Sequence, residues 1–228
     1  TKNAQITNNS FVNIPNYTIG YTLSTGTPIL TGNTVSNIGY KGILLDGNVT
    51  NDSPTLKKMN FAGYTNLPYI LTGPFNIVQG NLVTIEPGIV IKFQNYGNQG
   101  ILVNGGLKAI GTKTEKIIFT SIQDDSAGGD ANNNGTGSVP GYDDWKGICF
   151  SSVSSDADNV LKNCEVRYAG DGYIDGAYTN APIGISSSRV LIDSVKVNFS
   201  SRCGIAIFGD ANPEIKNTTI SNISWEPI

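Results

Sequence analysis

Apolar and polar positions along the chain follow one recurring pattern. An apolar residue is followed by two polar positions, a variable third position, then alternating polar and apolar ones. It reads Ile6-Thr-Asn-Asn9-Ser-Phe11, Leu30-Thr-Gly-Asn33-Thr-Val35, Leu56-Lys-Lys-Met59-Asn-Phe61 and Leu161-Lys-Asn-Cys164-Glu-Val166. It returns as Ile192-Asp-Ser-Val195-Lys-Val197 and Ile215-Lys-Asn-Thr218-Thr-Ile220, at spacings of 22 to 26 residues where no insertion intervenes. A second element is a glycine followed by apolar residues: Gly42-Ile-Leu-Leu, Gly147-Ile-Cys-Phe, Gly184-Ile-Ser and Gly204-Ile-Ala-Ile. Period-2 alternation predicts strands, and no 3.6-residue period is sustained beyond a turn or two, so the chain is predicted to be all-β. A repeat of this length predicts a solenoid, because one unit holds too few apolar residues to close a core alone and must stack on its neighbours at about 4.8 Å. Stacking predicts one inward column of Ile6, Leu30, Leu56, Leu161, Ile192 and Ile215, and another of Phe11, Val35, Phe61, Val166, Val197 and Ile220. Asn9 and Asn33 in the inward turn slot are expected to bond the backbone and their stacked copies.

Between residues 67 and 123 the strands keep coming in a different dialect: Leu82–Ile85, Val90–Phe93, Ile101–Val103, Leu107–Ile110 and Ile117–Thr120, separated by short Gly or Asn turns. Two stretches break the rhythm, 123–144 and 171–181, both rich in Gly and Asp, the first also in Asn and the second in Tyr. Extra residues in a repeat array usually become loops on one face, often the working face. The expectation is a single domain over 1–228 with about eight to nine coils and these two insertions, cut from a longer protein. Strand edges left open at its two ends would then be covered by neighbouring domains.

Composition sharpens this. Charged residues make up only 14% of the chain and the net charge is −3, which gives no reason to expect nucleic acid or an anionic membrane as partner. No segment is apolar enough for a transmembrane helix. His is absent, which removes Ser-His-Asp triads and ordinary zinc sites. Three cysteines, Cys149, Cys164 and Cys203, exclude a full disulfide framework and are expected to be buried thiols, with a Cys149–Cys164 bridge as the alternative.

Val83-Thr-Ile-Glu-Pro-Gly-Ile-Val-Ile-Lys-Phe93, Ile101-Leu-Val-Asn-Gly-Gly-Leu-Lys-Ala-Ile-Gly-Thr112 and Ile118-Phe-Thr-Ser121 resemble the right-handed parallel β-helix region of bacterial and archaeal secreted or cell-surface proteins. So do Asp144-Trp-Lys-Gly-Ile148 and Leu161-Lys-Asn-Cys-Glu-Val-Arg-Tyr-Ala-Gly170, while the flanking units resemble the generic repeat of pectate-lyase-like proteins. The resemblance implies a single-stranded right-handed β-helix on a secreted or cell-surface protein. It fixes no activity, since that fold carries lyases, hydrolases, binding modules and passive stalks.

Three kinds of chemistry are candidates. Asp130-Ala-Asn132-Asn-Asn134-Gly135 matches the opening of a calcium loop, although Gly141 stands where an EF-hand has its bidentate Glu. Asp124, Asp125 and Asp143 could complete a calcium shell, and an Asx-rich turn cluster is the plain alternative. An outward strip with Arg167, Lys196 and Arg202 could serve a polysaccharide lyase, though Glu165 and Lys196 share a slot and could simply form a surface ion pair. Asp143 with Asp144, or Asp171 with Asp175, could make a glycosidase pair. Trp145, Tyr168, Tyr173 and Tyr178, joined by Tyr142, gather around the insertions as a sugar-binding surface would require, with the plain alternative that Trp145 and Tyr168 cap the interior under the loops. The leading expectation is a non-catalytic module for adhesion or binding of a polysaccharide or cell-surface glycan, stiffened by calcium. The alternatives are a lyase or hydrolase on the outer sheet face, and a passive structural stalk.

Overall fold

A computed structural model describes residues 3–23, 26–50, 53–95, 97–170, 172–225 and 228. Among these the protein is all-β, with three long parallel sheets and one small antiparallel hairpin. The eight-stranded sheet holds β1 (Ser10–Thr22), β2 (Thr34–Asp46), β4 (Tyr69–Leu71), β7 (Val90–Phe93), β10 (Ile117–Ser121), β13 (Cys164–Arg167), β18 (Lys196–Ser200) and β21 (Thr219–Ile223), paired in that order. The six-stranded sheet runs from β3 (Thr55–Leu56) through β6 (Leu82–Ile85), β9 (Gly106–Ile110), β12 (Val160–Lys162) and β17 (Leu191–Asp193) to β20 (Glu214–Lys216). The five-stranded sheet runs from β5 (Pro74–Ile77) through β8 (Gly100–Val103), β11 (Ile148–Phe150) and β16 (Ile183–Ser186) to β19 (Ile205–Phe208). From β4 to β21, the hairpin aside, the chain visits the eight-, five- and six-stranded sheets in a fixed rotation.

Parallel register turns the sequence repeat into columns of like side chains. In the eight-stranded sheet Ile19, Ile43, Tyr69, Ile91, Phe119, Val166, Val197 and Ile220 lie side by side. In the six-stranded sheet the column is Leu56, Ile85, Ala109, Leu161, Ile192 and Ile215. The five-stranded sheet contributes Phe75, Ile101, Ile148, Ile183 and Ile205. These columns meet in one continuous core that also takes in the Phe93–Trp145 stack. Burying each aliphatic or aromatic side chain in such a core contributes about 1.5–3 kcal/mol, and middle units gain most because they have neighbours on both sides. Burial follows suit: Cys164 and Val195 are buried in the inward turn slot, Asn9 is exposed and Thr218 half-buried at the two ends.

The second expected column needs correction. Phe11 and Val35 do pair with each other, but early in β1 and β2, which run as thirteen-residue strands and carry the Ile19–Ile43 column later on. Phe61 lies outside the long sheets in a tight bridge with Tyr64. The expected Asn pair is present: Asn33 Oδ1 accepts the Asn9 backbone N–H at 3.0 Å and its side-chain amide at 3.2 Å. Corners between the six- and eight-stranded sheets use left-handed residues, Asn163 (φ 48°), Ser194 (φ 58°) and Asn217 (φ 52°). Short polar side chains tolerate that conformation, which is why the repeat places Asn or Ser there.

The three cysteines are free; Cys149 and Cys164 are buried as expected, whereas Cys203 is only half-buried. Burial pushes the Cys149 thiol up to about 11 and the Cys164 thiol up to about 12, so neither is a nucleophile at neutral pH.

Candidate ligand-binding site

The first insertion leaves the eight-stranded sheet after β10 and enters the five-stranded sheet at β11, and its interior is organised by a lysine. Lys92 on β7 is fully buried, and its ammonium donates to the backbone carbonyls of Asp124 at 2.9 Å and Gly129 at 2.5 Å. Burial pulls the Lys92 amine below its ordinary value, while the carboxylates of Asp124, Asp125 and Asp130 act to hold its proton. Next to it, Asp124 accepts from Thr120 Oγ1, from the Ser126 hydroxyl and backbone N–H, and from Arg167 at 3.2 Å. Burial alone would raise the Asp124 carboxyl; those hydrogen bonds and the Arg167 charge outweigh it and hold it low.

Arg167 is fastened at both ends of its guanidinium. Nε and Nη2 donate to Glu165 and Nη1 reaches Asp124 and Ser126. Glu165 also takes Lys116 at 2.8 Å. Glu165 and Lys196 are in register, as their shared slot implies, yet the ion pairs run to Lys116 and Arg167 instead. Lys116 and Arg167 therefore satisfy the carboxylate that Lys196 was expected to meet. Arg202 sits over the Trp225 ring, 4.9 Å from its centroid. The strip of Arg167, Lys196 and Arg202 thus does not converge: Arg167 is a structural cation and Arg202 is turned to an aromatic ring.

Three of the expected calcium ligands, Asp124, Asp130 and Asp143, are engaged elsewhere. Asp130 caps its own turn, accepting the backbone N–H groups of Asn134 at 3.0 Å and Gly135 at 3.1 Å. Asn132 and Asn134 donate their amides to Ser138 Oγ. Asp143 bonds the backbone and hydroxyl of Ser201, and it passes so close to Gly170 that a β-carbon there would lie 1.7 Å from its oxygen. Asp125 lines a cavity with one oxygen unpartnered. Among the described residues no group of three or more His, Cys, Asp or Glu is placed to hold a metal ion. The Lys92 ammonium supplies the positive charge inside the loop.

The two carboxylate pairs fare no better as glycosidase machinery. Asp143 faces Ser201, whereas Asp144 accepts from Ser121 Oγ at 2.5 Å and the Gly141 N–H at 3.1 Å. Burial, with the Asp143 charge adding to it, raises the Asp144 carboxyl above the usual range. Asp175 is a hairpin-turn residue at φ 46°, and Asp171 lies outside the described residues.

Of the aromatic candidates, Trp145 is corrected to a core residue. It is fully buried, stacked on Phe93 at 3.8 Å, with its indole N–H donating to the Arg167 carbonyl at 2.8 Å. Tyr173 and Tyr178 face each other at 5.0 Å on the hairpin of β14 (Tyr173–Ile174) and β15 (Ala177–Tyr178) and line no part of the cavity described next. Tyr168 behaves differently. It stacks on Phe199 with centroids 4.7 Å apart and planes 5° apart, and Tyr142 from the loop stands 6.2 Å from Phe199. Tyr168 and Phe199 occupy matching positions just past Arg167 and Asn198, which are paired in register, and both take φ 60°. A left-handed backbone at a bulky aromatic is a strained state, and here adjacent strands share it, lifting both rings out of the period-2 alternation. Phe199 escapes the sequence pattern for that reason: alternation after Val197 assigns it inward.

The three rings wall a cavity of about 500 Å³ whose other side is the loop, with Gln123, Asp125 and Ser126 among its lining. A second cavity of about 240 Å³ adjoins it, sharing Gln123 and Ser138 and adding Tyr40, Gln94 and Asn132. The lining combines flat aromatic rings with amide, hydroxyl and carboxylate groups.

Comparison with known proteins adds one partial likeness. A stretch of 54 residues, 24% of this chain, is 37% identical to Protein bark beetle of Drosophila melanogaster, and the match spans about 2% of that protein's length. No family model and no solved structure matches the chain.

Proposed function

We propose that this chain is a non-catalytic, right-handed parallel β-helix module of a secreted or cell-surface protein, and that it binds carbohydrate beside the first insertion. The solenoid reading is supported by the rotation of the chain through three parallel sheets and by the apolar columns they create. The binding reading rests on one observation: Tyr168 and Phe199, strained in register, stand with Tyr142 over a cavity whose far side is polar. Aromatic rings opposite amide and carboxylate oxygens suit a pyranose, which has an apolar face and a rim of hydroxyls. Catalysis is disfavoured because Arg167, a basic group bonded to the cavity-lining Asp124 and Ser126, is committed to Glu165 and Asp124.

The test is retardation of the protein in native gels containing a panel of soluble polysaccharides, alongside the Tyr142→Ala variant. Tyr142 is half exposed, so its loss leaves the core intact. Retardation by at least one polysaccharide, weakened about tenfold in the variant, supports the reading. No retardation by any, or retardation that ignores Tyr142, overturns it.

A further inference from the structure

The two adjoining cavities point to the length and charge of the glycan, an inference that rests on the binding reading above. They share Gln123 and Ser138, and each carries a stacked aromatic pair from adjacent coils. In the first, Tyr168 lies on Phe199. In the second, Tyr40 pairs in register with Tyr17 and stacks on it with centroids 4.4 Å apart. From β2, which carries Tyr40, to β13, just before Tyr168, the sheet order β2-β4-β7-β10-β13 makes four strand steps. At about 4.8 Å per step that is about 19 Å along the axis, more than one sugar ring can bridge.

Charge is balanced across this span. Asp124 and Asp125 are the charged side chains of the first cavity, and the second has none. Asp124 is paired with Arg167, and Asp125 lies in the field of the buried Lys92. The polar groups within a ligand's reach are uncharged. They are the hydroxyls of Ser126 and Ser138 and the amides of Gln94, Gln123 and Asn134, all half-buried or exposed. Such groups both donate and accept, as sugar hydroxyls do.

We infer that the ligand is the interior of an uncharged polysaccharide chain, several units of which lie across both cavities from Tyr142 and Tyr168 to Tyr40. A single sugar or a chain end would meet one aromatic pair and leave the other idle. A uronic acid or a protonated amino sugar would give up hydration of its charge to a lining whose charges are already balanced.

Native gels first compare hydroxyethylcellulose, galactomannan and dextran with polygalacturonate, alginate and glycol chitosan, at low and high salt. The polysaccharide that retards the protein most is then partially hydrolysed and separated by length. Its fragments are titrated calorimetrically into the whole chain and into Tyr40→Ala. The strongest retardation is expected from an uncharged polysaccharide and should ignore salt. Affinity should rise at least about tenfold from fragments of one or two units to those of about five or six, because only the longer ones reach the second aromatic pair. Tyr40→Ala should bring the long fragments down to the affinity of the short ones. The length dependence of the unaltered protein is read without any variant, so misfolding of Tyr40→Ala does not obscure it. Strongest retardation by a charged polysaccharide, weakened by salt, overturns the uncharged class. Equal affinity of short and long fragments, or a length dependence that Tyr40→Ala leaves untouched, overturns the chain spanning both cavities. Either result leaves the glycan reading intact, whereas no retardation by any polysaccharide overturns both.

Discussion

The two insertions look alike in sequence, both short stretches of Gly, Asp and aromatic residues, yet they fold on different principles. The first is built around charge in the interior: Lys92 beneath it, and Arg167 joining Asp124 to Glu165 at its base. The second is a two-stranded hairpin whose Tyr173 and Tyr178 are 57% and 40% exposed, anchored by Ile174 against Leu102 and Cys149. Exposed aromatic residues are present in both. A walled cavity bordered by stacked rings and oxygen acceptors is found beside the first, so it is the buried polar scaffold, more than the tyrosines themselves, that shapes a place for a ligand.

The sharpest way to break this contrast is to remove the buried cation. Lys92→Met fills the volume but leaves the Asp124 and Gly129 carbonyls without their donor and three carboxylates without their nearest buried charge. A loss of about 3–5 kcal/mol in chemical denaturation is expected. Calcium should not substitute for it in the unaltered protein: a calcium titration should leave the denaturation midpoint unchanged. A calcium-dependent rise would return the loop to the metal-site reading.

Acid should act on the first insertion through Asp124 and Glu165. Both folded-state values are depressed: burial pushes each up, but hydrogen bonds from Ser126 and Thr120 with the Arg167 charge outweigh it at Asp124, and those from Lys116 and Arg167 outweigh it at Glu165. Their contribution is therefore full above the unfolded values of about 3.9 and 4.3 and is lost as pH falls through the lower folded ones. In Arg167→Met one of the influences that lower each carboxyl is lost, so both folded values move up and their acid dependence shrinks. That variant, about 2–4 kcal/mol less stable at neutral pH, should lose less stability on acidification than the unaltered protein, so that the deficit narrows. Denaturation midpoints measured in parallel down the acid range would show it, and parallel curves would refute it.

A smaller effect separates the strained tyrosine from the relaxed one. Tyr168 sits at φ 60°, where glycine carries no penalty, so Tyr168→Gly should be about 1 kcal/mol more stable than Tyr168→Ala. Tyr173 is a strand residue and the order should invert there, glycine being the worse by about 0.5–1 kcal/mol. Denaturation of the four variants decides both.

What the sequence discloses follows from which interactions are periodic. The short strands from Leu82 to Ser121 and the Leu56–Ile215 column are legible because inward side chains repeat at fixed register. β1 and β2 are not, because two pattern elements fuse there into one long strand. The hairpin was readable locally, since Ile174-Asp-Gly-Ala177 is a two-residue turn signal between aromatic residues. At the candidate site, Tyr168 and Trp145 both stand out in sequence because they neighbour an insertion, and only the Phe93 ring stacked on Trp145 decides that Trp145 takes the interior-capping alternative. Phe199 and Lys92 lay beyond reach for different reasons. Phe199 leaves the alternation through its left-handed backbone, whereas Lys92 keeps the outward slot between Ile91 and Phe93 and is buried by the loop folded over it, and a pattern of polarity has no term for either.

The mildest perturbation is the one that tests the comparison most directly. Tyr173→Ser combined with Tyr178→Ser removes two exposed rings from the second insertion while Ile174 keeps its anchorage. Stability should stay within about 0.5 kcal/mol, since surface substitutions away from buried contacts cost little. Affinity for whatever glycan the unaltered protein retains should be unchanged, because neither ring lines the cavity. If the double variant lost binding while Tyr142→Ala kept it, the ligand would sit on the hairpin and the buried scaffold of the first insertion would be a matter of stability alone. If it kept binding, exposure of aromatic rings would be insufficient in this chain, and the strained pair with its polar opposite wall would be what distinguishes a site from a surface.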